Sequence, residues 1–234
     1  GVKQTEKIGF TRTVLARELS FEQIKKIKHN TKCELEIFCH GALCFSVSGL
    51  CLFSSFIGGY SGNRGVCTQP CRRLWNINNK QGYFFSPKDL QLAEHIRQLK
   101  DIGITSLKIE GRMKTADYVY KTVKAYRLLI DADKNNMAEA VKEAQEILTF
   151  DYARQKTSFN FIQNDSNIFE PGKSKNIGLL IGTVSNKQND SFFIETNHNL
   201  NIGDIIRIVD NKNDKSIAFE IKNIEKINNG YNIF

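Results

Sequence analysis

Four cysteines, Cys44, Cys51, Cys67 and Cys71, are spaced C-x6-C-x15-C-x3-C. Thiolates are soft ligands, and four in one locality suit either structural zinc or an iron–sulfur cluster. Structural zinc usually takes two short knuckles, whereas only Cys67 and Cys71 form a short pair here, so the spacing tilts towards iron–sulfur without deciding. The other two cysteines, Cys33 and Cys39, precede these four, and none follows residue 71. Both fall at alternating strand positions and read as small buried residues, although either could replace one of the four. Disulfides rank third, after a metal or cluster site and after unrelated buried thiols, because they staple small exported chains without a core.

The elements that must position these thiols follow from hydrophobic periodicity. "RTVLARELS" reads as a strand, "FEQIKKIKH" as a helix burying Phe21, Ile24 and Ile27, and "CELEIFCHG" as a strand with Leu35, Ile37 and Cys39 alternating. After the cysteine loop, "GYFFS" is an expected extended piece. "SPKDLQLAEHIRQLKDIG" carries helix signals, with Ser86 as N-cap, Pro87 at the first position and Gly103 at the end. "TSLKIEG" is a buried-strand candidate, and the helix that follows is expected to pack Val119, Val123, Tyr126 and Ile130 on one face. Repeated strand-then-helix order predicts an α/β fold with parallel strands, as a partial (β/α) barrel. Domain boundaries are expected at 1–130 for the barrel part with its cysteine loop, 131–172 for a helical connection and linker, and 173–234 for a small all-β barrel.

With 234 residues and 41% hydrophobic content, the chain can bury a real core. No stretch offers about 18 uninterrupted apolar residues, so neither a membrane span nor a membrane partner is expected. There is no secretory signal pattern at the start, and a cytoplasmic location is the expectation. A net charge of +8 fits an anionic partner, with nucleic acid the usual candidate. The lysines Lys25, Lys26 and Lys28 are better read as the solvated side of an amphipathic helix.

The stretch 36–54, "EIFCHGALCFSVSGLCLFS", resembles the signature of the collagenase-like peptidase family through Glu36, Phe38, Gly41, Ala42, Leu43, Cys44, Gly49, Cys51 and Ser54. Phe53 stands where that pattern has an aliphatic residue. The resemblance continues through "GNRGVCTQPCR", "SPKDL" and "SLKIEGRMKTADYVYKTVKAYR", covering about residues 10–130. Its C-terminal β segment is similar to the family's appended barrel. The resemblance implies one of two chemistries. Some members were described as collagenases; others are iron–sulfur proteins that hydroxylate the tRNA wobble uridine using prephenate, a cytidine of 23S ribosomal RNA, or a ubiquinone precursor.

The residues favour the second. His29, His40, His95 and His198 do not form H-E-x-x-H, "GGYSGN" fails G-x-S-x-G, and Cys39 or Cys44 lies too close along the chain to His40 for a nucleophile–base pair. The hydroxylase resemblance gives a 4Fe-4S cluster on Cys44, Cys51, Cys67 and Cys71, with zinc the alternative and Cys71 the least secure ligand. Arg64, Arg72 and Arg73 would tune that centre and bind phosphate or the prephenate carboxylates; surface cations are the equal alternative. Gly58, Gly59, Gly62 and Gly65 are read as tight-turn positions. Glu110 and Arg112 end a strand, where barrel enzymes place their sites, and are the catalytic candidates; a structural Glu–Arg pair competes. Family barrels need strand–helix units before this chain begins, so a missing barrel half or a partner chain is expected. The expected function is an RNA hydroxylase acting on tRNA, with a peptidase or a zinc-stabilised RNA-binding module as alternatives.

Overall fold

The computed structural model describes residues 1–48, 50–112, 114–150, 154–162, 168–172, 178–187, 191–210 and 215–234. It divides into two compact units, Gly1–Gly178 and Leu179–Phe234. Gly49 of the signature and most of the linker-like stretch 164–175 lie outside the described residues.

The first unit runs α1 (Val2–Lys7), β1 (Arg12–Val14), α2 (Phe21–His29), β2 (Glu34–Ala42), α3 (Phe53–Gly58), β3 (Trp75–Ile77), β4 (Lys80–Gly82), β5 (Asp89–Gln91), α4 (Ile96–Asp101), β6 (Ser106–Ile109), α5 (Ala116–Asp131), α6 (Met137–Thr149) and β7 (Lys156–Thr157). Strand β2 is the hub. It pairs in parallel with β1, Arg12 opposite Glu34, and in parallel with β6, Glu36 opposite Ser106. The expected alternation holds: Leu35, Ile37 and Cys39 enter one core with Ile24, Leu99, Tyr126, Leu129 and Leu148. Each such buried aliphatic side chain contributes about 1.5–3 kcal/mol over its exposed state. The intervening Glu34, Glu36 and Phe38 are half-buried. Glu34 meets Arg12 at 2.8 Å, and Glu36 accepts from Lys108 at 2.9 Å. Helix α2 begins with a capping box, Ser20 accepting from Gln23 N and Gln23 Oε1 from Ser20 N, which satisfies two otherwise orphaned donors.

The sheet is mixed, not purely parallel as expected. Strand β5 runs antiparallel to β2, His40 opposite Gln91, and β7 runs parallel to β5. This replaces the first part of the helix expected from Ser86. Asp89 is fully buried against Arg154, whose Nη1 donates to Oδ1 at 3.3 Å, and the backbone N–H of Asp89 donates to Gln155 O at 2.8 Å. Ser86 accepts a side-chain hydrogen bond from Arg72 and caps nothing. Long-range pairing thus outweighs the local cap signals, and regular helix begins only at Ile96, ending as expected near Gly103, where φ is +81°.

Two further expectations are corrected. Of "GYFFS" only Gly82 is extended, as the end of β4, and the rest is a turn that Ser86 N closes onto Tyr83 O. The extended piece is the β3–β4 hairpin upstream, where Asn78 and Asn79 both have positive φ, as a two-residue hairpin turn demands. Helix α5 buries Tyr118, Thr122, Ala125, Tyr126 and Leu129, leaving Val119 and Val123 exposed. Its inward stripe is set by the hydroxyls of Tyr118 and Tyr126, which bond Glu110 O and Cys39 O. Buried polar tips of this kind must find partners.

The second unit holds β8 (Thr183–Ser185), β9 (Phe192–Glu195), β10 (Ile205–Asp210), β11 (Lys215–Glu220), β12 (Ile224–Ile227) and β13 (Gly230–Ile233), all antiparallel. They form a four-stranded sheet, β12-β13-β9-β8, and the β10–β11 pair. Their core is Ile194, Leu200, Ile206, Ile221, Tyr231 and Ile233. The run "SIAFEIKNIEKI" is two strands, and β13 was not anticipated. Among the described residues no sheet closes into a barrel. No helix of the described residues is long and apolar enough to cross a membrane.

Candidate functional site

The three parallel strands end side by side, and chemistry-bearing residues follow each end: Arg17 after β1, Cys44 after β2, and Glu110 with Arg112 after β6. Ligand sites of parallel sheets form at this end, outside the strands' carboxyl termini. Strands β2 and β6 come unusually close there. Gly41 has φ +109°, and a Cβ on it would lie 2.3 Å from Glu110 O, so only glycine lets the two ends meet.

The cysteine loop is held from beneath by aromatic rings. Phe53 stacks on Trp75 at 5.5 Å, both meet Phe85 edge-on, and Phe85 meets Phe45 at 5.2 Å. Phe53 therefore serves as a packing anchor where the signature has an aliphatic residue. Ser54 is fully buried; its Oγ accepts from Thr68 N at 3.1 Å and lies 3.7 Å from Cys67 Sγ. Gln69 N also donates to Cys67 Sγ at 3.3 Å, and Cys51 N donates to Asn63 Oδ1 at 3.2 Å.

Cys44 and Cys67 are exposed, and Cys51 and Cys71 half-buried. The Cys71 thiol is pushed up by burial, opposed by Arg72 and reinforced by negative charge on Cys44, Cys67 and Cys51. The Cys71 thiol is therefore within electrostatic reach of the other three. Mutual repulsion of this kind is reversed by a cation placed among the sulfurs, and four soft donors of this type fit a thiophilic metal or cluster. Among the described residues no three His, Cys, Asp or Glu side chains stand at metal-binding geometry. Cys33 and Cys39 lie elsewhere, both buried. Cys33 Sγ contacts Thr13 and the carbonyls of Phe10 and Thr11, while burial pushes the Cys39 thiol far up.

The predicted cations separate into two kinds. Arg64 and Arg73 are exposed, and their guanidiniums have no hydrogen-bond or ion-pair partner among the described residues. Arg72 is turned inward. Its guanidinium donates to Leu43 O at 2.6 Å, to Ser86 Oγ at 2.8 Å and to Pro87 O. Burial and the neighbouring Arg154 push its pKa down to about 10, against the pull of Cys71 and Asp89.

Glu110 and Arg112 are brought to the same end of the sheet, but they are not a side-chain ion pair. Glu110 Oε1 accepts from Arg112 N at 3.0 Å and Oε2 faces Arg17 Nη2 at 3.3 Å. The Arg112 guanidinium reaches Gly65 O at 3.2 Å, joining the end of β6 to the cysteine loop. Arg17, which also lies 3.7 Å over the Phe38 ring, was missed from the sequence. Its place just beyond β1 was the available signal. Ser54 and Asn63 were missed as positioning residues because their partners are backbone and sulfur atoms in other turns.

Residues 1–169 match the profile of peptidase family U32. The chain is 46% identical over 137 residues to an uncharacterized protease of Methanocaldococcus jannaschii, covering 52% of this chain and 33% of that protein. It is 41% identical over 137 residues to tRNA hydroxylation protein P1 of Bacillus subtilis, covering 53% of this chain and 32% of that protein. To the 23S rRNA 5-hydroxycytidine C2501 synthase of Escherichia coli it is 39% identical over 143 residues, 57% of this chain and 22% of that protein. The chain thus spans a third or less of the length of these relatives. No solved structure matches it. The signature around Cys44 and Cys51, the matched span and these relatives agree: the chain belongs to peptidase family U32.

Proposed function

We propose that the protein containing this chain is an iron–sulfur-dependent RNA hydroxylase of the cytoplasm. Its substrate is tRNA, and it places a hydroxyl on carbon 5 of the wobble uridine with prephenate as co-substrate. The observation that carries this reading is that one loop, beginning where β2 ends, carries Cys44, Cys51, Cys67 and Cys71 with Cys71 within electrostatic reach of the other three, together with the exposed cations Arg64 and Arg73. Relatives named for tRNA and rRNA hydroxylation support it. In the same reading β1, β2 and β6 are an arc of a (β/α) barrel, completed by further strands, and the second unit is a small β-barrel.

A 4Fe-4S cluster on Cys44, Cys51, Cys67 and Cys71 would supply the redox chemistry that side chains lack. The chain's own residues do the rest. Arg72 fixes the two ends of the cysteine segment, Arg64 and Arg73 attract phosphate or carboxylate groups, and Glu110, steadied by Arg17, offers an acceptor to a base edge or hydroxyl. A peptidase reading has weaker support. Cys39 is buried and held protonated, its Sγ directed to Lys108 O, and the His40 ring is packed between Tyr118 and Tyr126.

The test combines metal analysis with nucleoside analysis. Full-length protein purified without oxygen should hold iron and acid-labile sulfide, and Cys67→Ala should lose both. A deletion strain should lack the hydroxylated uridine and regain it with the wild-type gene but not with Cys67→Ala. Stoichiometric zinc without sulfide, or unchanged nucleosides in the deletion strain, would overturn the reading.

A further inference from the structure

The short helix α3 has two unlike sides. Its inner side is fixed: Phe53 lies on Trp75, and Ser54 is buried beneath Cys67 and Thr68. Its outer side presents Phe56, whose ring is 90% exposed on a segment otherwise locked in place. Gly59, with φ +72°, then turns the chain so that Tyr60 follows, 52% exposed, its backbone carbonyl held by Ser55 Oγ at 3.0 Å. Leu50 and Leu52, on either side of Cys51, are each 70% exposed. An apolar, partly aromatic set of exposed side chains therefore flanks Cys51 along the chain, on a segment anchored by the packing of Phe53 and Ser54.

The charge carried by this segment is of one sign. From Ile37 to Lys88 the sequence contains no Asp or Glu, while Arg64, Arg73 and Lys80 are exposed. A segment of exposed rings and exposed cations that carries no acid of its own matches a polyanion with flat apolar faces, although Glu18, which accepts from Ser48 N and Oγ, brings an acid to it from another element. Unpaired RNA has both, with bases to stack and phosphates to pair. A duplex hides its base faces and meets only half of these features.

Resting on the RNA reading above, we infer that α3 and the turn after it form a single-strand RNA platform, with an unpaired base stacked on Phe56, a neighbouring one on Tyr60, and phosphates held by Arg64 and Arg73. Phe56 lies five residues after Cys51, so the platform is carried by the same stretch of chain as the thiols.

Binding of a fluorescent single-stranded oligoribonucleotide to the purified full-length protein, followed by anisotropy, tests this. Phe56→Ala should weaken binding about five- to a hundredfold, as stacking losses do. Phe56→Trp should retain affinity, and Phe56→Leu, which keeps apolar area without a π face, should not. Arg64→Gln with Arg73→Gln should flatten the salt dependence of log affinity by about 1.4, two phosphate contacts at about 0.7 each. Equal affinity of wild type and Phe56→Ala, equal rescue by leucine, or duplex preferred over single strand would overturn the platform. So would self-association in sedimentation that Phe56→Ala abolishes with RNA binding intact, since these side chains would then form a protein interface. Nucleosides from the complemented deletion strain separate the two ideas: hydroxylation that persists while Phe56 proves indifferent rejects the platform alone, and hydroxylation unaffected by the deletion rejects the enzyme reading.

Discussion

The guanidinium of Arg72 donates to the backbone carbonyl of Leu43 at 2.6 Å. Leu43 immediately precedes Cys44, and Arg72 immediately follows Cys71, so one hydrogen bond ties together the first and last thiol-bearing segments. With Ser86 Oγ and Pro87 O also accepting, Arg72 acts as the buckle of the cysteine loop.

Replacing Arg72 by Met should leave these acceptors unpaired in a largely buried place and cost about 2–4 kcal/mol. Arg72→Lys should recover little, because a point charge cannot serve three acceptors spread across a planar fork. Denaturant unfolding followed by Trp75 fluorescence reads both variants, Trp75 Nε1 being bonded to Pro70 O beside the same turn.

Gly41→Ala should destabilise the first unit by at least about 2 kcal/mol, from a positive φ and from a Cβ driven into Glu110 O. The strain falls at the joint between β2 and β6. Amide exchange should therefore show faster exchange at Glu110 N, which donates to His40 O at 2.8 Å, than in the second unit.

Asp89→Ala should cost about 3–5 kcal/mol, because it removes a fully buried carboxylate that accepts from both the backbone N and the guanidinium of Arg154. The measurement is the urea midpoint of the variant against wild type. A paired Asp89→Ala, Arg154→Met variant should be less damaged than Asp89→Ala alone.

His95 should make the fold acid-sensitive. Burial holds its pKa below 6.5, against the opposing influence of Glu94 and the Gln98 hydrogen bond, and its ring lies 5.0 Å from that of Phe161. The unfolded chain then binds the proton more readily than the native state, so this contribution is intact above about pH 6.5 and declines as pH falls towards the lower folded value. Wild type should lose more stability than His95→Gln between pH 7.5 and 5.5. Parallel pH profiles for the two would show that His95 takes no part.

Much of the fold and of the site was determined by the sequence itself. The alternation of Leu35, Ile37 and Cys39, the capping box of α2 and the run from Met137 to Thr149 are local patterns, and each forms the element expected. The four cysteines were legible because thiol number and spacing are written in one stretch of chain. Tertiary structure alone decided what depended on distant partners. Asp89 joined a strand because Arg154 and β7 awaited it, Arg72 turned inward because Leu43, Ser86 and Pro87 offer it acceptors, and Glu110 found Arg17 rather than the Arg112 side chain. The same held for α5, whose apolar residues could form more than one stripe until the hydroxyls of Tyr118 and Tyr126 met backbone carbonyls at the ends of β2 and β6. Local propensity is worth tenths of a kcal/mol per residue, whereas an unpaired buried charge costs several, so wherever the two disagreed the long-range partner prevailed.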